Sequence, residues 1–206
     1  APVPITALYD RKNVEKMTFE TLPEIPDIKL DEDQFRTIAA MVDRREYFQL
    51  EFDIRNHFKM GPVKFYNIIG MIRGSEYPDE YVMAGGHLDA FDVATGGVDC
   101  GVGATVSLEA ARLLAVAGAK PKRSILFCLW AGEEYGLWGS KFFVEHNSEK
   151  MPNISNYINR DGGPTVPLGI TVTPATYNDF VKVCEPVNLI NKEFPFTVKK
   201  RVGEPQ

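Results

Sequence analysis

Four short polar segments of this sequence could bind cations, because they place histidine and carboxylate side chains beside glycine. Three of the segments follow apolar runs, and the fourth lies in a glycine-rich stretch before a helix-like segment. The candidate side chains are His87, Asp89, Asp99, Glu133, Glu134 and Asp161. Charged groups at the end of a buried strand must be paired, protonated or bound to metal. Together the segments predict a metal site, although each one alone is typical of a turn or a surface pair.

The chemistry of such a site needs these residue types. Imidazole and carboxylate groups are common zinc ligands, and one carboxylate can bridge two ions about 3.5–4 Å apart, a role for which Asp99 is the candidate. Two ions would lower the pKa of a shared water and stabilise the oxyanion of amide hydrolysis. The adjacent Glu133 and Glu134 can then divide the roles of general base and ligand. Asp89 could accept the N–H of His87 and fix its tautomer.

The elements that must position these groups follow from the hydrophobic pattern. Helices are expected over 31–44, 104–116, 137–146 and 179–190, and strands over 48–54, 65–72, 81–84, 124–131, 156–160 and 168–173. This alternation predicts an α/β fold with a mixed, largely parallel sheet and helices on both faces. The polar segments follow three of the strands, so they should meet at one edge of the sheet. The best internal boundary is Tyr77-Pro78-Asp79.

Composition narrows the class of protein. The formal net charge of the 206 residues is −5, which argues against nucleic acid or an anionic membrane as partner. No apolar run approaches the roughly 20 residues of a membrane span, and no targeting signal is visible. The three cysteines, Cys100, Cys128 and Cys184, form neither a disulfide framework nor a metal knuckle.

Four motifs occur in order along the sequence. They are Gly-Gly-His87-Leu-Asp89, Gly-Val-Asp99, Ala-Gly-Glu133-Glu134-Tyr-Gly and Asn-Arg-Asp161-Gly. Together they resemble the zinc aminopeptidase and glutamate carboxypeptidase family, in particular its carboxypeptidase Q-like (plasma glutamate carboxypeptidase) branch. The resemblance implies a zinc-exopeptidase, phosphorylase/hydrolase-like fold with two zinc ions. His87, Asp99 and Asp161 would hold one ion, and Asp99, Glu134 and a later histidine the other. Glu133 would be the general base, and Asp89 would support His87.

The same resemblance implies hydrolysis of terminal peptide bonds of peptides or dipeptides, of either aminopeptidase or carboxypeptidase/dipeptidase type. A metal-bridging water activated by Glu133 would be the nucleophile. The resemblance also implies a secreted, periplasmic or lumenal setting and leaves a homodimer open. Residues 1–30 are expected to be a linker or the end of a protease-associated domain, and residues 31–206 a catalytic metallopeptidase domain.

Two departures from the family pattern matter. Cys100 stands where the family has Asp or Asn, and we expect only a local geometric effect. The histidines are His57, His87 and His146, so none follows Asp161 and the last family ligand is absent. We therefore expect the catalytic domain to be C-terminally incomplete. His57 is expected to lie in a loop, and His146 to be exposed at the end of a helix.

Two other functions remain open on the same fold. A glutaminyl-cyclase-like acyltransferase would need a single zinc ion, and retention of both His87 and Asp161 leans against it. A non-catalytic interaction protein like the transferrin receptor has no need of Glu133 beside Glu134. A plain α/β domain leaves too many charges at strand ends unexplained.

Overall fold

The structure is a computed structural model that describes residues 18–21, 30–55, 63–91, 94–190 and 192–201. The strands are β1 (Ile68–Ile72), β2 (Tyr77–His87), β3 (Arg123–Trp130), β4 (Ile154–Asn159), β5 (Gly169–Val172) and β6 (Thr197–Lys200). The α-helices are α1 (Glu32–Asp43), α2 (Gly101–Val116), α3 (Trp138–His146), α4 (Tyr177–Cys184) and α5 (Val187–Ile190). Short 3-10 helices cover Phe19–Thr21 and Ser148–Asn153. None of the described helices is long and apolar enough to cross a membrane.

The chain divides into two compact units, Ala1–Gly162 and Gly163–Gln206. The first unit contains a four-stranded sheet in the order β1-β3-β2-β4. β2 pairs in parallel with β3 and β4, whereas β1 is antiparallel to β3. The mixed, largely parallel sheet expected from the sequence is confirmed. The second unit contains the parallel pair β5-β6 with α4 and α5. The break between units follows Gly162 and not Tyr77-Pro78-Asp79.

One face of the four-stranded sheet packs against α3. The buried cluster on this face consists of Met83, Leu126, Cys128, Trp130 and Phe143. Because side chains alternate along a strand, Leu126, Cys128 and Trp130 of β3 point to the same face, and Phe143 brings α3 onto it. The Trp130 ring lies 5.3 Å from the Phe143 ring, and its N–H donates to the hydroxyl of Tyr157 at 2.7 Å.

The opposite face packs against α2 through glycine. Gly86 of β2 is in register with Leu129 of β3. A Cβ on Gly86 would lie 3.0 Å from the carbonyl carbon of Gly103, and one on Gly103 would lie 2.0 Å from the carbonyl oxygen of Arg160. Only glycine permits such close approach. The first turn of α2 therefore lies directly against the ends of β2 and β4, and helices cover both faces of the sheet.

Three predicted elements differ from the structure. The strand predicted over 48–54 is wrong, because residues 46–55 have no regular structure. The helix predicted over 179–190 is broken into α4 and α5 at Pro186, which has no N–H to continue α4. β2 was expected to end at Gly85-Gly86 but continues to His87. Most of the predicted linker over 1–30 lies outside the described residues.

Candidate metal centre

All six predicted side chains lie at the edge where β2, β3 and β4 end. His87 is the last residue of β2, and Asp89 follows it closely. Glu133 and Glu134 follow β3, and Asp161 follows β4. Asp99 reaches the same edge from the turn that precedes α2, because α2 packs so closely against the strand ends.

The imidazole of His87 is buried and contacts a different group with each nitrogen. Nδ1 lies 3.0 Å from the backbone carbonyl oxygen of Asp89. A carbonyl oxygen only accepts hydrogen bonds, so Nδ1 carries the hydrogen. In the neutral ring, Nε2 then points an unprotonated lone pair toward Asp99 Oδ1 at 2.9 Å and Asp161 Oδ1 at 3.3 Å.

A lone pair that faces two carboxylate oxygens is repulsive unless a cation lies between them. A proton is one such cation. Burial by itself lowers the pKa of His87, but the charges of Glu133 and Asp161, together with the hydrogen bonds to Asp89 and Asp99, outweigh it and raise the pKa above its ordinary value. A metal ion is the other cation that can lie between the lone pair and the two carboxylates. Donor atoms around tetrahedral zinc lie roughly 3.3–3.5 Å apart. The distance of 3.3 Å from His87 Nε2 to Asp161 Oδ1 matches this spacing, and the 2.9 Å to Asp99 Oδ1 is shorter. The residues present therefore fit a metal ion.

Within the part of the chain that the structure describes, two sets of three side chains have donor atoms that all lie within 4.8 Å of one another. One set is His87, Asp99 and Glu134, and the other is His87, Cys100 and Asp161. His87 belongs to both sets, so the donors surround a single buried imidazole. Cys100 is buried, and its thiol donates to the carbonyl oxygen of Arg160 at 3.4 Å.

The carboxylate of Asp89 makes contacts that the sequence did not predict. Its Oδ1 lies 3.7 Å from His87 Nδ1, farther than the backbone carbonyl of the same residue. The carboxylate accepts hydrogen bonds instead from the backbone N–H of Glu133 at 3.0 Å and of Glu134 at 3.2 Å. Asp89 therefore joins His87 to the loop that carries both glutamates.

The pKa values of Glu133 and Glu134 are both raised above the ordinary value of a glutamate. Burial is the main cause of the higher pKa of Glu133, and the negative charge of Asp161 adds to it, while His87 opposes it. Burial is also the main cause for Glu134, reinforced by Asp99. Glu133 Oε2 lies 3.9 Å from His87 Nε2. A carboxylate with a raised pKa is suited to exchange protons near neutral pH.

We call Ala131–Gly139, which includes the first two residues of α3, the glutamate loop. Its two ends are bridged by a residue that the sequence analysis did not single out. The N–H of Ala131 donates to Asn67 Oδ1 at 3.1 Å, and Asn67 Nδ2 donates to the carbonyl oxygen of Gly139 at 2.8 Å. The one available signal was a single amide inside the apolar run predicted as a strand over 65–72.

The other histidines do not complete the centre among the described residues. His146 is exposed, as predicted, and its Nδ1 lies 3.0 Å from the carbonyl oxygen of Phe142 in the same helix. His57 lies outside the described residues. A cavity of about 1050 Å³ opens beside β1 and α3, and none of its lining residues belongs to the six predicted ones.

Known peptidases resemble this chain in sequence. The family model of Peptidase family M28 matches residues 67–186. Carboxypeptidase Q of Xenopus laevis is 31% identical over 175 residues, which cover 82% of this chain and 37% of that protein. A probable glutamate carboxypeptidase of Zea mays is 45% identical over 94 residues, which cover 43% of this chain and 13% of that protein.

The structural comparison gives the same fold. A Peptidase M28 precursor from Shewanella amazonensis matches with a TM-score of 0.67 and 24% identity, over 82% of this chain and 38% of that one. The chain thus spans little more than a third of the length of the Xenopus and Shewanella proteins. The family model matches more than half of the chain, and this chain therefore belongs to peptidase family M28.

Proposed function

We propose that this chain carries the metal centre of a zinc-dependent exopeptidase that hydrolyses terminal peptide bonds. The observation that carries the proposal is the approach of Asp99 and Asp161 to the same nitrogen of a buried histidine, with Glu133 beside them. Relatives named as carboxypeptidases support a terminal bond as the target. Secretion, a homodimer and the division into residues 1–30 and 31–206 stay predictions.

We propose that two ions bind at this donor set. His87, Asp161 and a bridging Asp99 would hold one ion, and Asp99 with Glu134 would hold the other. Zinc bound at these residues would polarise the scissile carbonyl and lower the pKa of a water molecule. The tautomer of His87 suits this role, because the hydrogen on Nδ1 leaves Nε2 free to ligate.

Glu133 is proposed as the general base. It would take the proton of the attacking water and return that proton to the leaving amine. Its higher pKa, which burial and Asp161 produce, brings it closer to the pH at which such transfer is efficient. Asp89 would support this role by holding the backbone of Glu133 and Glu134, so that neither carboxylate must be ordered during the reaction.

The experiment compares Glu133→Gln with Glu134→Gln in the zinc-loaded full-length protein. We expect Glu133→Gln to keep the bound metal and lose about 10²–10⁴-fold in turnover, because the general base is lost. Glu134→Gln should instead lower the affinity for one ion. Metal content is measured by mass spectrometry, and turnover by release of terminal residues from free and end-blocked peptides.

The exposed Glu149→Gln is the matched control and should change neither quantity. Cleavage inside the end-blocked peptides would contradict an exopeptidase. In the full-length protein, a stoichiometry of one zinc would favour the glutaminyl-cyclase-like alternative, and metal binding without any turnover would favour the interaction protein.

A further inference from the structure

The glutamate loop is held across its two ends by one side chain. The amide of Asn67 accepts from Ala131 at the start of the loop and donates to Gly139 at its end. The backbone adds a bond between the same ends, from the Gly139 N–H to the Ala131 carbonyl oxygen at 2.8 Å. Between these ends lie Glu133 and Glu134.

An amide is the group that this position requires. Asparagine offers an acceptor and a donor in one plane, whereas aspartate offers only acceptors and alanine offers neither. The space is also restricted, because a Cβ on Gly139 would lie 2.2 Å from Asn67 Oδ1 and 2.4 Å from the Ala131 carbonyl oxygen. A methyl group at Gly139 would therefore displace the Asn67 amide or the start of the loop.

The sheet fixes where Asn67 stands. Asn67 directly precedes β1, and Ile68 of β1 is paired with Leu129 of β3. This antiparallel register places Asn67 beside the end of β3, where the glutamate loop begins. On the side of the metal centre, Asp89 holds the N–H groups of Glu133 and Glu134. The loop is thus fixed at its ends by Asn67 and at its middle by Asp89.

We propose that Asn67 is a positioning residue of the metal centre: it sets the span of the glutamate loop and so the places of Glu133 and Glu134. The roles of the two glutamates rest on the proposed function. The effect of Asn67 on their backbone does not, because it follows from the two hydrogen bonds alone.

The test uses Asn67→Ala and Asn67→Asp in the full chain. Hydrogen exchange is measured at the amides of Ala131, Glu133 and Glu134, and zinc binding by titration calorimetry with Zn²⁺ alone. We expect Asn67→Ala to accelerate exchange at these amides and to weaken zinc binding about tenfold, the lower end of what supporting residues contribute. Asn67→Asp, which keeps the acceptor, should preserve slow exchange at Ala131 better than Asn67→Ala does.

The matched control is Asn147→Ala. Asn147 Nδ2 donates to the Phe143 carbonyl oxygen at 2.9 Å, and its Oδ1 accepts from Lys150 at 2.6 Å, so this variant also removes a two-sided amide. It should leave zinc affinity unchanged. The Leu88 amide, which donates to the Trp130 carbonyl oxygen, reports on the β2–β3 pairing and should exchange at the wild-type rate in Asn67→Ala.

Three results would overturn the proposal. Unchanged exchange at Glu133 and Glu134 in both Asn67 variants would show that the loop does not depend on Asn67. Equal acceleration at Leu88 would show general destabilisation. Equal zinc affinity of Asn67→Ala and wild type would show that the loop position does not affect the ions. Failure of wild-type protein to bind zinc would instead reject the proposed function, and the exchange rates would still decide the role of Asn67.

Discussion

The metal centre has two halves that differ in their exposure to solvent. His87 and Glu134, which we call the inner residues, have exposed fractions of 3% and 9%. Asp99 and Asp161, which we call the outer residues, have side chains that are 58% and 46% exposed. Sequence placed all four at the same sheet edge, but only the inner pair is enclosed by the fold.

The difference in exposure indicates which side chains the fold holds in place and which ones a bound ion would order. His87 is held within β2 and by the Asp89 carbonyl, and the backbone of Glu134 is held by the Asp89 carboxylate. The outer carboxylates keep contact with water, which screens their mutual repulsion. We infer that the inner residues are in place before an ion arrives, and that the outer residues complete its coordination.

The largest expected effect is the loss of His87. His87→Ala should weaken zinc binding by more than about 100-fold, because even residues that only support a ligand contribute 10–100-fold. Asp161→Ala should cost less, because water can occupy the position of an exposed carboxylate. Titration calorimetry with zinc measures both affinities.

His146→Ala is the control for this comparison, since His146 is exposed and bonded to its own helix. It should bind zinc like the wild type. Equal losses in His87→Ala and Asp161→Ala would break the distinction between inner and outer residues.

A second, smaller effect is the dependence of zinc stabilisation on pH. Burial lowers the pKa of His87, but the charges of Glu133 and Asp161 and the hydrogen bonds to Asp89 and Asp99 together raise it above 6.5. Protonated His87 thus stabilises the metal-free fold. This contribution is complete below the unfolded pKa and is lost as the pH rises through the folded one. Zinc must displace the same proton, so its apparent affinity should fall about tenfold for each pH unit below the folded pKa.

Calorimetric unfolding with and without a chelator measures this prediction. With free zinc at about 100 times Kd, removal of the ion should cost about 2.7 kcal/mol of unfolding free energy near pH 8. The cost should shrink toward pH 5. A cost that does not change with pH would show that no proton on His87 competes with the ion.

The smallest expected effect is a difference in the rate at which two buried thiols, Cys100 and Cys128, react with a maleimide. Cys100 directly follows the exposed Asp99, whereas Cys128 lies in β3 and burial raises its pKa to about 12. Near pH 8, roughly one Cys128 thiol in 10⁴ is ionised. In a Cys184→Ser background, Cys100 should therefore react with a maleimide faster than Cys128. Zinc should slow Cys100 several-fold by ordering Asp99, and peptide mass spectrometry after timed labelling measures both rates.

Faster labelling of Cys128 than of Cys100 would contradict this picture. It would mean that β3 opens more often than the turn before α2. An unchanged Cys100 rate on addition of zinc would show that the outer residues do not become ordered around the ion.

The same feature of the sequence predicted both the strands of the sheet and the position of the candidate site. Apolar runs followed by glycine and carboxylates indicate strands whose ends carry function, and parallel strands bring those ends to one edge. His87, Glu133 and Asp161 could therefore be placed together without coordinates. Gly118, which follows the last turn of α2, has the left-handed φ of 62° typical of that position.

Other features could not be predicted because they depend on backbone groups or on partners. The carboxylate of Asp89 binds two backbone N–H groups, which every residue except proline has, so no pattern of side chains indicates them. Both hydrogen bonds of the Asn67 side chain are also to backbone groups, so only its polar amide within an apolar run marked this residue. The alternation over 48–54 fits a strand, but a strand forms only where a neighbour pairs with it, and residues 46–55 have none in the described chain.

The glycine contact between α2 and the sheet edge has a consequence for tolerance to mutation. A methyl group at Gly103 would lie 2.0 Å from the Arg160 carbonyl oxygen and 2.5 Å from the Cys100 sulfur. Arg160 adjoins Asp161, and Cys100 adjoins Asp99, so one added carbon would displace the neighbours of both outer carboxylates at once. A functional screen of single substitutions would therefore group Gly103 with the metal ligands, although glycine has no side-chain atom that could bind an ion.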